Sequence, residues 1–151
     1  MDNTISKKLV IINQVCEMID DIYYRYAMSF GITDTELSIL YALYEHDGEY
    51  MQSDICREWS YSLQTIHTTV KNMEKKNLIE LQRRDGNKKN KYIHLTTDGK
   101  QLIDSIMAPL TKAEEEALQA LTDEEQNIFL SLLQKYAHTL NISIGKVTRK
   151  A

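Results

Sequence analysis

Residues 51–99 read MQSDICREWSYSLQTIHTTVKNMEKKNLIELQRRDGNKKNKYIHLTTDG, and the order of elements in this stretch decides the fold. The spacing predicts a short helix over residues 52–59, with Ile55 and Trp59 facing inward. Ser60-Tyr61 supplies a tight turn, and Ser62 can cap a second helix reaching residue 76. Ile66, Val70 and Met73 follow one another by four and then three positions, which places them on one buried face of that helix. Asn77 stands where a left-handed cap residue is expected, a conformation Asn tolerates better than most side chains. Residues 78–84 and 91–95 read as two strands joined by the Gly/Asn-rich segment Asp85-Gly86-Asn87-Lys88-Lys89-Asn90.

Charge singles out the same region. Between Arg57 and Lys100 there are ten Lys/Arg against five Asp/Glu, a net of +5. The rest of the chain holds eight basic and seventeen acidic residues, a net of −9, so the overall −4 conceals a cationic island. Such an island is the footprint expected where one surface meets phosphates. A helix, a turn, a helix and a basic hairpin together predict a winged helix-turn-helix. Its second helix suits a major groove, and its hairpin suits the negative potential of an adjacent minor groove.

Outward from this stretch the pattern is helical. Leu9, Ile12, Cys16, Ile19, Tyr23, Tyr26 and Phe30 repeat every 3.5 residues on average, with Val10, Ile11, Val15, Met18 and Ile22 as a second apolar set beside them. A helix so broadly apolar needs neighbours from its own domain and from a second subunit. Gly31 ends it, and Thr33 or Asp34 can cap the next, whose expected buried face is Leu37, Leu40, Tyr41 and Tyr44 and which Asp47-Gly48 ends. After the hairpin, Thr96 or Thr97 opens a long helix reaching towards Leu121, with Leu102, Ile103, Ile106, Met107 and Leu110 on its apolar side and a bend or break expected near Met107 because of Pro109. Thr122-Asp123-Glu124-Glu125 matches a capping box for a last helix carrying Ile128, Phe129, Leu132, Leu133, Tyr136 and Leu140, with fraying expected from Ser143.

A length of 151 residues, 42% of them hydrophobic, with one proline and five glycines, fits an ordered, mainly helical chain. The longest aliphatic run, residues 9–12, is too short for a membrane span, and no signal-peptide core precedes it. Two separated cysteines form no disulfide framework, so the cytoplasm is the expected compartment.

At TDTELSILYAL, SLQTIHTTVKNMEKKNLIE and HLTTDGKQLI the chain resembles the MarR family of bacterial transcriptional regulators, over essentially its whole length. The resemblance implies a single domain over residues 1–151, mainly α with a small β-wing. Its winged helix-turn-helix would occupy residues 33–100, flanked by dimerisation helices at 1–30 and 101–142. It also implies a homodimer on a pseudo-palindromic operator of double-stranded DNA, more often a repressor than an activator, and often released by a small ligand or by oxidation. Two departures stand out. The family's wing carries Asp-x-Arg about ten residues before Leu-Thr-x-x-Gly; here Asn87-Lys88-Lys89 precedes Leu95-Thr96-Thr97-Asp98-Gly99, and Asn77 replaces a common Gly.

The residues expected to meet DNA are Ser62, Gln64, Thr65, His67, Thr68 and Lys71 on the second helix and Arg83, Arg84, Lys88, Lys89 and Lys91 on the hairpin. Gln can pair two-pronged with adenine, Thr can meet a thymine methyl, and Lys favours guanine or phosphate; a merely solvated face is the bland alternative. The expected dimer interface comprises Leu9, Ile12, Cys16, Ile19, Leu132, Leu133, Tyr136 and Leu140. Cys16 is either a redox-sensing thiol, as in one branch of the family, or a small apolar side chain in the seam. Cys56 is expected inside the reading head. Tyr23, Tyr24, Tyr26, Tyr41 and Tyr44 either line a cavity for an aromatic or phenolic effector or pack the core. Four scattered histidines suggest no metal site, no cofactor is expected, and no catalytic arrangement appears. A winged-helix module that binds an acidic protein is the rival from another class.

Overall fold

The computed structural model describes residues 3–83 and 91–148. Its elements run α1 (Asn3–Ser29), α2 (Asp34–Glu45), β1 (Glu49–Met51), α3 (Gln52–Glu58), α4 (Leu63–Lys75), β2 (Ile79–Arg83), β3 (Lys91–Leu95), α5 (Thr97–Gln119) and α6 (Asp123–Thr148). The chain divides into two compact units, Met1–Met107 and Ala108–Ala151.

In the first unit, each helix boundary has a local chemical cause. Gly31, at φ +69°, ends α1 in a Schellman motif: its N–H donates to the Met28 carbonyl and the Ile32 N–H to the Ala27 carbonyl. Thr33 and Glu36 form a reciprocal capping box on α2, with Glu36 N–H on Thr33 Oγ1 at 3.1 Å and Thr33 N–H on Glu36 Oε2 at 2.9 Å. Ser62 Oγ accepts the Thr65 N–H at 3.0 Å and opens α4. Asn77, at φ +57°, closes α4 in a second Schellman motif through its own N–H to Glu74 and the Leu78 N–H to Met73.

The sheet has three antiparallel strands in the order β1-β3-β2, where the sequence indicated a two-stranded hairpin. β1 is only three residues long, too short to show an alternation, yet it pairs Glu49, Tyr50 and Met51 with His94, Ile93 and Tyr92. The core is built from Leu37, Ile39, Leu40 and Leu43 of α2, Ile55 of α3, Ile66, Val70 and Met73 of α4, Ile79 and Ile93 of the sheet, and Ile103, Ile106 and Met107 of α5. Each fully buried aliphatic side chain of this kind contributes about 1.5–3 kcal/mol.

Two inward assignments are corrected. Tyr44 and Trp59 are each 38% exposed. Leu43 takes the place expected for Tyr44, because α2 is covered on more than one side, and Trp59 caps α3 while its ring meets Tyr41 edge-on at 5.5 Å. Leu102 is half-buried. The proline does not break α5, which is helical from Thr97 to Gln119 with Pro109 inside it. Near that point the Tyr26 hydroxyl donates to the Ile106 carbonyl at 2.7 Å.

The second unit holds the rest of α5 and all of α6. The capping box read from the sequence forms, with Thr122 N–H on Glu125 Oε2 at 2.8 Å and Glu125 N–H on Thr122 Oγ1 at 3.3 Å. The helix does not end near Ser143, where fraying was expected, but continues to Thr148. No residue of α6 is buried, and no described helix is long and apolar enough to cross a membrane.

Candidate nucleic-acid interface

α4 is a two-sided helix. Ile66, Val70 and Met73 are fully buried and fix one side, which leaves Gln64, Thr65, Thr68 and Lys71 exposed on the other and His67 half-buried at the margin. The hydroxyls on this side are already engaged. Ser62 Oγ lies 2.7 Å from Thr65 Oγ1, and Thr68 Oγ1 donates to the Gln64 carbonyl at 3.0 Å. Ser62 therefore acts first as the cap that starts the helix, and the Thr68 hydroxyl is spent on its own helix backbone.

Leu63 was missed by the sequence reading. Its spacing to Ile66 and Val70 would place it on the buried stripe, but at the first helical position nothing covers it, and it is 65% exposed beside Gln64. An apolar residue at the N1 position of a helix expected to read DNA is the signal that could have flagged it.

The wing is a regular ladder pairing Ile79, Leu81 and Arg83 of β2 with Leu95, Ile93 and Lys91 of β3. Its last described rung sets Arg83 directly opposite Lys91, two cations side by side with no carboxylate between them in register. Like charges opposed across strands are destabilising on their own, so this rung suits an anion arriving from outside. Arg84, Lys88 and Lys89 lie outside the described residues.

Not every cation of the island is without a carboxylate partner. Arg57 Nη2 sits 2.9 Å from Asp54 and 3.8 Å from Glu58, and Lys76 Nζ sits 2.7 Å from Glu36. Neither contact was visible in a simple charge count. The corner after α4 is held as well: Asn77 Nδ2 donates to Asp98 Oδ2 at 2.8 Å, and Thr96 Oγ1 donates to the Asn77 carbonyl at 2.6 Å.

A family model for the MarR family matches residues 30–89, from just after α1 to a point between β2 and β3. The chain is 31% identical over 111 residues to YwoH of Bacillus subtilis (strain 168), an uncharacterized helix-turn-helix transcriptional regulator, covering 71% of this chain and 77% of that protein. The chain belongs to the MarR family. Across its curated relatives the aligned stretch spans from 66% to 77% of their length. Among solved structures, a Listeria monocytogenes MarR-family regulator complexed with 26mer DNA superposes with a TM-score of 0.74 at 23% identity, over 93% of each chain. The organohalide-sensing regulator RdhR-CbdbA1625, bound to 2,4-dichlorophenol, superposes with a TM-score of 0.71 at 21% identity, over 93% of this chain and 83% of that one. Both likenesses establish the winged-helix fold. The family consists of DNA-binding transcriptional regulators rather than enzymes, and this chain is a regulator of that kind.

As a MarR-family chain it carries its own substitutions at the expected places. Asn77 in place of the common Gly keeps the left-handed backbone and gains a partner in Asp98. Cys56 is half-buried, and burial pushes its thiol up, away from the reactive thiolate. Cys16 is exposed within the chain. Burial, followed by a hydrogen bond to Glu58, pushes the Tyr50 hydroxyl up to about 12; its ring stacks on His46 at 3.8 Å. Among the described residues, no group of three or more His, Cys, Asp and Glu side chains could hold a metal ion.

Of the tyrosines considered for an effector cavity, Tyr24 is exposed on α1, Tyr26 bonds to Ile106, and Tyr41 packs on Trp59. A recess of about 270 Å³ between α2, β3 and the start of α5 takes Tyr44 alone of the five into its lining.

Proposed function

We propose that this chain is a ligand-responsive repressor that binds a pseudo-palindromic operator as a homodimer in the cytoplasm. The observation that carries the reading is the two-sided α4. One face is locked into the core while Gln64, Thr68 and Lys71 stand out beside a wing whose last described rung opposes Arg83 and Lys91. In this reading α4 enters a major groove, with Gln64 and Thr68 on base edges, Lys71 on guanine or phosphate, and Ser62, Thr65 and His67 at the margin. Arg83, Arg84, Lys88, Lys89 and Lys91 meet the backbone or minor groove.

The apolar faces support the dimer. Leu9 and Ile19 of α1 are 43% and 46% exposed, and Leu132, Leu133 and Leu140 of α6 are 59%, 51% and 42% exposed, far more apolar surface than a lone soluble chain leaves uncovered. Ile12 of α1 and Tyr136 of α6 are half-buried, and Cys16 is exposed one turn after Ile12. Two reading heads about 34 Å apart would enter successive major grooves, and a ligand preferring another spacing would weaken operator binding by its differential affinity. A small aromatic or phenolic effector is the class favoured, because the dichlorophenol-bound regulator has the same fold.

Selection of genomic fragments by the purified protein, followed by footprinting, tests this reading. A protected inverted repeat with half-sites one turn apart is expected, released by a phenol or, if Cys16 is the sensor, by peroxide in a manner abolished by Cys16→Ser. Gln64→Ala should relax preference at one base at a cost of about 1–3 kcal/mol. Replacing Lys88 and Lys89 by Ala should flatten the dependence of log K on log salt by about 0.9 per lost phosphate contact. Binding to an acidic protein with no salt-dependent affinity for duplex DNA would overturn the proposal.

A further inference from the structure

We propose that the Glu36–Lys76 ion pair is a positioning device for sequence reading, which seats the recognition helix on α2 and removes Lys76 from the set of phosphate-contacting cations. The inference rests on the proposed use of α4 in the major groove and extends it to residues that do not touch DNA.

The Glu36 carboxylate is more than a cap. Glu36 is 2% exposed, and its Oε2 accepts the Thr33 N–H in the capping box of α2. A glutamine would serve that box equally well without a charge to bury. A buried carboxylate is costly unless it is paired, and here the second oxygen accepts Lys76 Nζ at 2.7 Å across 40 residues of sequence. The charge of Glu36 thus answers to Lys76, not to the cap.

Lys76 is the C-cap of α4, immediately before the left-handed Asn77. The pair therefore grips the recognition helix at its C-terminal end. The turn that leads into α4 is gripped by the same helix: the Ser38 and Tyr61 hydroxyls lie 3.1 Å apart, and Tyr41 meets Trp59 edge-on. Between these two ends, Ile66, Val70 and Met73 pack through apolar contacts, which hold the helix down without direction. A charge-assisted hydrogen bond has direction and length, so it fixes how far α4 turns and slides. Base contacts need that precision, whereas phosphate contacts to non-operator DNA tolerate its loss.

The test uses the full chain as Lys76→Met, Glu36→Gln, the double variant and Lys76→Arg. Affinities are measured for the selected operator and for a random duplex over a range of salt, together with amide hydrogen exchange across α4. In Lys76→Met, operator affinity should fall about tenfold, with random-duplex affinity and salt slope unchanged and protection lowered in the last turn of α4. Glu36→Gln, which keeps the capping box, should do the same; the double variant should be no worse than either single one, and Lys76→Arg should restore most of the operator preference. Equal losses on both duplexes with a shallower salt slope would make Lys76 a phosphate contact and overturn the proposal. A lower melting temperature with an unchanged operator-to-random ratio would reduce the pair to a stabilising contact and overturn it too. Should the wild-type protein select no operator, the DNA reading itself fails. Exchange then decides the clasp alone, and unaltered protection in Lys76→Met would sink it.

Discussion

α4 and α6 are both helices with an apolar stripe, yet they treat it in opposite ways. The 13 residues of α4 bury Ile66, Val70 and Met73 completely, while the 26 residues of α6 bury none of theirs. On α4 the uncovered side is polar and cationic apart from Leu63; on α6 it carries Phe129, Leu132, Leu133 and Leu140. A finished apolar face turns its polar side to a wet, charged ligand. An unfinished one calls for another protein surface. In the proposed function the two helices therefore serve two kinds of partner, nucleic acid for one and a second copy of the chain for the other.

The largest expected effect separates these cases by the same substitution in each. Val70→Asp places an unpaired charge in the core and should cost on the order of 4 kcal/mol or more, enough to unfold the chain at any concentration. Leu133→Asp should instead leave a folded chain whose melting temperature no longer rises with protein concentration. Circular dichroism and sedimentation of the two variants would break the comparison if Val70→Asp stayed folded or Leu133→Asp still assembled.

A glycine pair sharpens it with opposite signs. A Cβ on Gly99 would lie 1.9 Å from the Leu78 carbonyl oxygen, so Gly99→Ala must push the start of α5 off the corner after α4, at about 1–3 kcal/mol. Gly145 in α6 has nothing within 4 Å of the same position, and Gly145→Ala should stabilise the helix by up to about 1 kcal/mol. Urea midpoints for the two variants should move in opposite directions.

The smallest effect concerns the wing. Arg83→Ala removes one of two opposed cations and should stabilise the free protein by a few tenths of a kcal/mol, roughly 0.2–1, while weakening its hold on DNA. A loss of stability instead would mean that the rung is not strained by its charges.

Features fixed by neighbours three or four residues apart were legible in the sequence. The capping box at Thr122, the Ser62 cap, the left-handed Asn77 and the Ile66/Val70/Met73 face all follow from local chemistry, and the structure has each of them; of the two caps open to α2, Thr33 or Asp34, it takes Thr33. What stayed hidden depends on residues far apart in the chain. β1 exists because Glu49–Met51 finds the free edge of β3, and the partner of Lys76 lies 40 residues away. Tyr44 and Trp59 were misplaced because a large aromatic ring can serve the core by one edge while leaving another in water. Leu63 fell on the right stripe at a point where the core had ended.

One feature of α4 bears on the chemistry of the operator itself. Thr68 has turned its hydroxyl back to the Gln64 carbonyl and Leu63 is uncovered, so this part of the reading face offers hydrocarbon where its sequence suggests hydroxyl. Hydrocarbon can recognise one group in the major groove, the 5-methyl of thymine. A duplex synthesised with uracil keeps every base-pairing edge and lacks only that methyl. The proposed regulator should therefore bind it less well than the natural operator, telling apart two duplexes of equal charge and base pairing by their thymine methyl groups alone.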